Sequence, residues 1–414
     1  MPYLSKGGGS ISLARAQKLG IRTSRVSSWS RGHSFDFAVR ATIGLIIIII
    51  AQAFFSFTII LSQIDFRRMS PPRYDGSSPR AANSPDVICS SRQQQQLPVW
   101  RDEIDRYFSE AAGGRPSFAV VLTLNNGFWD FFVNWRYHYH FYARVESKTD
   151  RPLLILIAED SVVYEKLKAL PRSKEETIVV LPGRNFAVDS ASKMAEDYDS
   201  KAYKKLVSSR ATYLLNLMCS LEEGEPNAAA NEVIEGDGDM KVKKENLVIV
   251  YSDLDTVWLK DPFKYIQTEL FGSNNKGGTQ LKQQPNYDIL AAVDDHNYNN
   301  VTDYYCTGYL AIAQTPASFA FLSQWEKGLQ TNPQLNQPLF NSLLRSEEIP
   351  DIRHGGLGES EFPPGRLYFD EWEKLGGASN KLMKKKTMVV HNNYIIGHDA
   401  KKERFQEHGL WMKK

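Results

Sequence analysis

Two carboxylates, Asp253 and Asp255, stand two residues apart just beyond the apolar run 247–251 (LVIVY). At the end of a strand that spacing turns both side chains to one side of the chain, where their hard oxygens can hold a divalent cation and leave positions open for phosphate oxygens. A cation so held neutralises a diphosphate and makes it a better leaving group, with no proton transfer needed at that point. The bare pattern recurs at Asp197-Tyr198-Asp199 and Asp237-Gly238-Asp239, but neither follows an apolar strand, and both read as solvated loop residues. The competing reading of Asp253 and Asp255 is structural, as caps for a helix beginning near Pro262.

Such a pair must be positioned by a sheet. The runs 118–124 (FAVVLTL), 153–158 (LLILIA), 178–181 (IVVL) and 247–251 are short, rich in Val, Ile and Leu, and bounded by charged or turn residues. They read as parallel strands buried on both faces. Between them, 128–143, 161–170 and 201–221 are long enough for helices, so the alternation predicts an α/β sheet covered on both sides. Ligands of such sheets lie at the carboxyl ends of the strands, where Asp253 and Asp255 fall. Further apolar runs at 288–293 and 309–313 precede expected helices at 316–329 and 337–344, and 222–244 and 272–285 read as inserted surface loops.

The chain has 414 residues, 50 Lys plus Arg against 48 Asp plus Glu, a net charge of +2, 42% hydrophobic residues and 24% charged. This is the composition of a folded protein, and the near-neutral balance argues against nucleic acid as a partner. The mean hydropathy of -0.39 conceals the segment 41–64, 24 residues without a charge. A helix needs roughly 20 apolar residues to span a bilayer, more than a cleaved signal supplies, so a retained transmembrane helix is expected at 41–64. The tail 1–40 carries Lys6, Arg15, Lys18, Arg22, Arg25, Arg31 and Arg40 against Asp36, which favours a cytosolic N-terminus. Nearer the span the arginines balance, Arg22, Arg25, Arg31 and Arg40 against Arg67, Arg68, Arg73 and Arg80, so the charge count alone leaves the orientation open. Segment 65–116, with its Ser-Pro pairs and the run Gln93 to Gln96, reads as an unfolded stem, and 117–414 as one folded domain. Asn300-Val301-Thr302 is a glycosylation sequon compatible with a lumenal domain. Cys89, Cys219 and Cys306 permit at most one bridge, and no disulfide scaffold is implied.

Several segments together resemble the nucleotide-diphospho-sugar transferases of glycosyltransferase family 77. They are the strand with Asp253-Leu-Asp255, the following Trp258-Leu-Lys-Asp261-Pro262, the opening Val-Leu-Thr123-Leu-Asn125-Asn126-Gly127 with Asn134-Trp135, and the ending His391-Asn-Asn393-Tyr-Ile-Ile-Gly397 through His408-Gly409-Leu410-Trp411. The resemblance covers the folded part in order. It implies a GT-A (Rossmann-like) fold, a Mn2+ or Mg2+ ion, a UDP-sugar donor, a glycan or glycoprotein acceptor, and transfer with retention. The sugar would be of the galactose, xylose or arabinose class. A Golgi type II membrane protein with a lumenal catalytic domain is also implied.

Carried over residue by residue, Asp253, Asp255 and His391 would hold the metal. Thr123, Asn125, Asn126, Gly127, Arg210 and Gly308 would bind the donor, with Lys401 or Lys402 at its diphosphate. Gln337, Asp294 and Asp295 would lie at the sugar. Each has a plainer reading: a structural histidine at 391, an ordinary Asn-Gly turn at 126–127, a surface helix arginine at 210, a loop cap at 294–295, and a solvated basic face for Lys401 and Lys402. The chain departs from the family at Cys306-Thr307-Gly308, where an Asn commonly precedes the Gly, and at Asn336-Gln337, where Asp-Gln is common. Without a carboxylate at 336, a front-face displacement supported by the metal and the leaving phosphate is expected rather than a double displacement. The same departures keep a non-catalytic nucleotide-sugar-binding scaffold in view. A metal-dependent nucleotide-sugar hydrolase is a third reading, and the sequence offers it no extra His and carboxylate cluster to activate water.

Overall fold

The computed structural model describes residues 84–90, 92, 97–110, 117–142, 152–171, 177–184, 201–222, 247–272, 285–295, 303–332, 336–349 and 351–413. The expected tail 1–40, the transmembrane helix 41–64, Asn300 and the bulk of both inserted loops lie outside these residues. Among the described residues no helix is long and apolar enough to cross a membrane.

Helices α1 (Pro85–Ser90) and α2 (Leu97–Glu110) come first. They are followed by β1 (Phe118–Leu124), a 3-10 turn (Asn126–Phe128), α3 (Trp129–Tyr142), β2 (Leu153–Ala158), α4 (Ser161–Lys168), β3 (Ile178–Pro182), α5 (Lys201–Ser208) and α6 (Arg210–Glu222). The acidic pair is flanked by β4 (Val248–Ser252) and β5 (Thr256–Trp258), after which come α7 (Phe263–Phe271), β6 (Ile289–Asp295), β7 (Tyr304–Ala313), α8 (Pro316–Thr331) and α9 (Asn336–Leu343). The chain closes with β8 (His354–Leu357), a π-helical turn (Arg366–Glu371), α10 (Trp372–Leu375), α11 (Gly377–Lys386), β9 (Val389–His391) and α12 (His398–Glu407).

The fold is mixed α/β around a seven-stranded sheet in the order β3-β2-β1-β4-β7-β6-β8. Strands β3, β2, β1 and β4 are mutually parallel, as their continuous apolar runs require, while β7 is antiparallel to both β4 and β6. Alternation along β1 feeds two separate cores. Ala119 and Val121 pack with Trp100 and Ile104 of α2, Leu214 and Met218 of α6, and Phe321 and Trp325 of α8. Val120, Leu122 and Leu124 pack with Phe131, Phe132 and Trp135 of α3, Ile266 of α7 and Phe405 of α12.

The stem expected over 65–116 is corrected in its C-terminal part, where α1 and α2 fold onto the domain. Trp100 and Ile104 are buried and Tyr107 packs beside them. Their positions repeat every three to four residues on one face, a helical signal that the averaged polarity of the stretch concealed. Trp100 also donates its indole N–H to the Pro182 carbonyl at 3.0 Å. A disulfide joins Cys89 of α1 to Cys219 of α6, leaving Cys306 as a buried free thiol. The helix expected over 201–221 is divided at Ser209, whose hydroxyl bonds back to the Lys205 carbonyl.

Candidate active site

Strand register assembles the site. Beyond β4 the chain turns through Asp253-Leu254-Asp255, with Thr256 donating to the Asp253 carbonyl from its backbone N–H (3.3 Å) and its hydroxyl (2.9 Å). The Ser252 and Thr256 hydroxyls meet at 2.7 Å across the turn. Strand β5 pairs antiparallel with β9, so that Thr256 faces His391, and the Asn392 N–H donates to the Asp255 carbonyl at 2.8 Å. On the other side, the Asp253 N–H donates to the Gly308 carbonyl of β7 at 2.7 Å. Residues far apart in the chain are thereby fixed around one point at the carboxyl end of β4.

Asp253, Asp255 and His391 each bring one ligand atom to that point, all within 4.8 Å of one another. His391 Nε2 is 3.3 Å from Asp255 Oδ1 and 3.9 Å from Asp253 Oδ2. The remaining carboxylate oxygens are held from outside: Arg210 Nη2 bonds Asp253 Oδ1 at 2.7 Å, and Lys401 Nζ bonds Asp255 Oδ2. Each carboxylate is thus anchored through one oxygen and presents the other to the imidazole. Two hard oxygens and one imidazole nitrogen converging in this way form a donor set suited to a divalent cation. Burial works against ionisation of Asp255, but Lys401 and His391 outweigh it and hold the carboxyl well below the usual range. The capping alternative fails, because the Phe263 N–H at the start of α7 is capped by Asp261 Oδ1 at 2.8 Å.

Arg210 is a buried organiser, not a surface arginine. Its Nη1 donates to both the Thr307 carbonyl (2.6 Å) and the Thr307 hydroxyl (2.7 Å), and its guanidinium lies over the Tyr251 ring, 4.4 Å from the centroid. The Tyr251 hydroxyl donates to Asp253 Oδ1 at 3.0 Å and meets the Thr123 hydroxyl at 3.0 Å. Burial pushes the Tyr251 phenol well up, keeping it a neutral donor. The sequence reading missed Tyr251, although the two-residue repeat of a strand places it on the side of Asp253. Gly308 is required by space, since a Cβ there would stand 2.3 Å from His391 Cε1 and 2.6 Å from Asp253 Oδ2.

A second set of groups adjoins the first. Asp294 occupies an irregularity in the pairing of β6 with β7, between the partners Val293↔Tyr305 and Asp295↔Tyr304, the type of bulge that re-aims a side chain. Its Oδ2 accepts from Gln337 Nε2 at 2.9 Å and its Oδ1 from Asn393 Nδ2 at 2.7 Å, while its carbonyl accepts from the Tyr394 hydroxyl at 2.9 Å. Tyr394 has φ of 60°, a strained value for an aromatic residue. Asn341, one turn after Gln337, holds α9 against β7 by exchanging two 2.8 Å bonds with the Tyr305 backbone. Asn336 Nδ2 reaches the Thr307 hydroxyl at 3.4 Å, while its buried Oδ1 meets no donor among the described residues. The two departures at 307 and 336 are therefore in contact.

Asn125, Asn126 and Gly127 lie at the carboxyl end of β1, as expected, and form a built turn. Asn125 Oδ1 caps the Phe128 N–H at 3.2 Å, the Asn126 N–H donates to Asp160 Oδ2 at 2.7 Å, and Asn126 Oδ1 accepts from Lys166 at 2.6 Å. Lys402 belongs to a clasp between α12 and α3, pairing with Asp130 at 2.7 Å beside His398 at 2.8 Å, so Lys401 alone of that pair faces the acidic residues. The Asp295 side chain lies outside the described atoms.

Residues 241–405 match the family model of nucleotide-diphospho-sugar transferases. The chain is 26% identical over 301 residues to a UDP-D-xylose:L-fucose alpha-1,3-D-xylosyltransferase of Arabidopsis thaliana, covering 71% of this chain and 69% of that one. It is 27% identical over 188 residues to a UDP-galactose:fucoside alpha-3-galactosyltransferase of Dictyostelium discoideum, covering 42% and 26% respectively. Among solved structures, the galactosyltransferase LgtC in complex with donor and acceptor sugar analogs covers 72% of this chain and 97% of its own at 10% identity, with a TM-score of 0.38, too low to carry weight.

Proposed function

We propose that this protein is a divalent-metal-dependent glycosyltransferase of GT-A type, moving a sugar from a UDP-sugar to a glycan hydroxyl, a reading supported by the match of residues 241–405 to the family model of nucleotide-diphospho-sugar transferases. The observation that carries the reading is the convergence of Asp253, Asp255 and His391, with Arg210 and Lys401 holding the outer carboxylate oxygens. Asp253 Oδ2, Asp255 Oδ1 and His391 Nε2 would hold the ion. A bound Mn2+ or Mg2+ supplies Lewis-acid neutralisation of the UDP diphosphate. Lys401 adds a positive charge on the same side, and the turn Asn125-Asn126-Gly127 offers a backbone edge to the nucleoside.

The sugar is assigned to the Asp294, Gln337 and Asn393 group. Both carboxylate oxygens of Asp294 accept amide hydrogen bonds, which suits it to receiving a sugar hydroxyl better than to attacking carbon. With an amide at Asn336, this arrangement supports retention by front-face displacement. Treatment with an activated fluoro-sugar donor is expected to leave no sugar on the protein, and a labelled peptide would refute that mechanism. UDP-xylose and UDP-galactose are the first donors to test and fucosides the first acceptors, because those are the substrates named for the two relatives.

With purified protein, Mn2+ and these substrates, UDP release that requires the acceptor supports transfer, whereas release without it indicates hydrolysis. Binding of donor without turnover would favour the scaffold reading. Against a scaffold stands the mutual contact of the two departing residues, Asn336 and Thr307, which keeps Arg210 tied to Asp253. We further propose a type II orientation in the Golgi membrane, with 41–64 as anchor. The charge-free segment and the Cys89–Cys219 disulfide, a bond of oxidising compartments, support it. Protection of the C-terminal domain from protease in sealed vesicles tests it.

A further inference from the structure

An imidazole that binds a cation through one nitrogen must carry its proton on the other, and that proton needs an acceptor. His391 presents Nε2 to the carboxylates. Its Nδ1 faces the opposite way and meets Cys306 Sγ at 3.5 Å, within hydrogen-bonding reach of sulfur. Cys306 is a buried thiol on β7, outside the disulfide, and its Sγ also accepts the Gly308 N–H at 3.4 Å. The sulfur is therefore itself fixed by the residue whose missing side chain lets the imidazole approach. The backbone of His391 is held independently, its N–H donating to the Pro363 carbonyl at 3.3 Å, so backbone contacts set where the ring hangs but not its rotation or tautomer.

We propose that Cys306 is the positioning residue of the cation site: its sulfur accepts Nδ1–H of His391 and so holds the imidazole in the tautomer and rotation that turn Nε2 toward Asp253 and Asp255. The inference rests on the cation site proposed above. Metal-bound histidines are more often steadied by a carboxylate or a carbonyl, which also raises their basicity. Sulfur is a weak acceptor, so here the contact serves to fix the geometry of the ring. Cys306, next to the departure at Thr307, thereby acquires a role in this chain.

Mn2+ titration of the purified protein, followed by the electron paramagnetic resonance of the free ion and without any sugar substrate, tests the proposal. Cys306→Ala removes the acceptor and adds no bulk beside the imidazole. It should melt within a few degrees of the unaltered protein without metal, yet bind Mn2+ about 10- to 100-fold more weakly, the usual effect of losing an outer-shell partner. Cys306→Ser should recover part of the affinity through its hydroxyl. An alanine variant that binds Mn2+ like the unaltered protein overturns the role of Cys306 and leaves the cation site standing, whereas failure of the unaltered protein to bind Mn2+ overturns both. A second measurement needs no cysteine variant. In the Mg2+-loaded, 15N-histidine-labelled protein, with His391 assigned by its loss in His391→Gln, long-range proton–nitrogen spectra should place the proton on Nδ1. A proton on Nε2 overturns the proposal.

Discussion

Replacement of Gly308 by alanine tests the site with the smallest possible perturbation. The added methyl carbon would stand 2.3 Å from His391 Cε1, about 1.1 Å inside the 3.4 Å at which ordinary contact begins, and 2.6 Å from Asp253 Oδ2. Neither neighbour is a flexible chain end. The imidazole is held by the β5–β9 pairing and Cys306, and the carboxylate by Arg210 and Tyr251. Relief must therefore separate β7 from β9 or turn both ligands away from each other. Metal–ligand distances tolerate roughly 0.2 Å, so a displacement near 1 Å breaks the donor set. A misplacement of that size commonly costs about 100-fold in rate, equivalent to about 2.7 kcal/mol of transition-state stabilisation. Overpacking should take roughly 1 to 3 kcal/mol from stability, which leaves the variant folded. Gly308→Ala is expected to melt cooperatively, lose at least tenfold in Mn2+ affinity, and lose about 100-fold or more in kcat/KM for acceptor-dependent UDP release. A variant that binds Mn2+ normally and turns over within threefold of the unaltered protein would refute the arrangement.

Other expectations follow from separate contacts. Lys401→Met removes the ammonium paired with Asp255 Oδ2, and loss of a charge-assisted contact should weaken UDP binding in the presence of Mn2+ by about tenfold or more in calorimetry; unchanged affinity would detach Lys401 from the diphosphate. The Cys89–Cys219 bridge spans 130 residues, so its chain-entropy contribution has an upper value of about 5 kcal/mol. Reduction should lower the melting temperature by up to roughly 7 °C for a domain of this size, and no fall would mean that α1 is held without it. His138 is buried with Nε2 2.9 Å from the Leu410 carbonyl; burial lowers its pKa from 6.5, outweighing that hydrogen bond. The unfolded chain then takes up the proton first, so the stabilisation is complete above about pH 6.5 and is lost as pH falls toward the folded value. Denaturant titrations from pH 7.5 to 5.5 should show a shallower pH dependence in His138→Gln, and an identical slope would exclude this group.

What the sequence disclosed and what it withheld divide along local and long-range causes. The four parallel strands were legible because burial on both faces leaves an uninterrupted apolar run, and Asp253 and Asp255 stood out because a strand ends immediately before them. Arg210, by contrast, lies 43 residues from Asp253 and 97 from Thr307, and no local pattern distinguishes such an arginine from a solvated one. The same holds for Asp294, whose link to Gln337 depends on a bulge in β6 and on Asn341 docking α9, neither of which has a compositional signal. The helices at 85–110 were concealed for another reason, because polarity averaged over a proline- and glutamine-rich stretch hides the face formed by Trp100, Ile104 and Tyr107. These differences bear on the departures at 307 and 336. Taken singly in the sequence, each weakens the case for catalysis. In the fold, Thr307 holds Arg210 against Asp253, Asn336 touches Thr307, and the neighbouring Cys306 touches His391, so both departures fall within one connected network. Loss of function would relax the constraints on such residues separately, whereas contacts that still converge on two inward-facing carboxylate oxygens require them together.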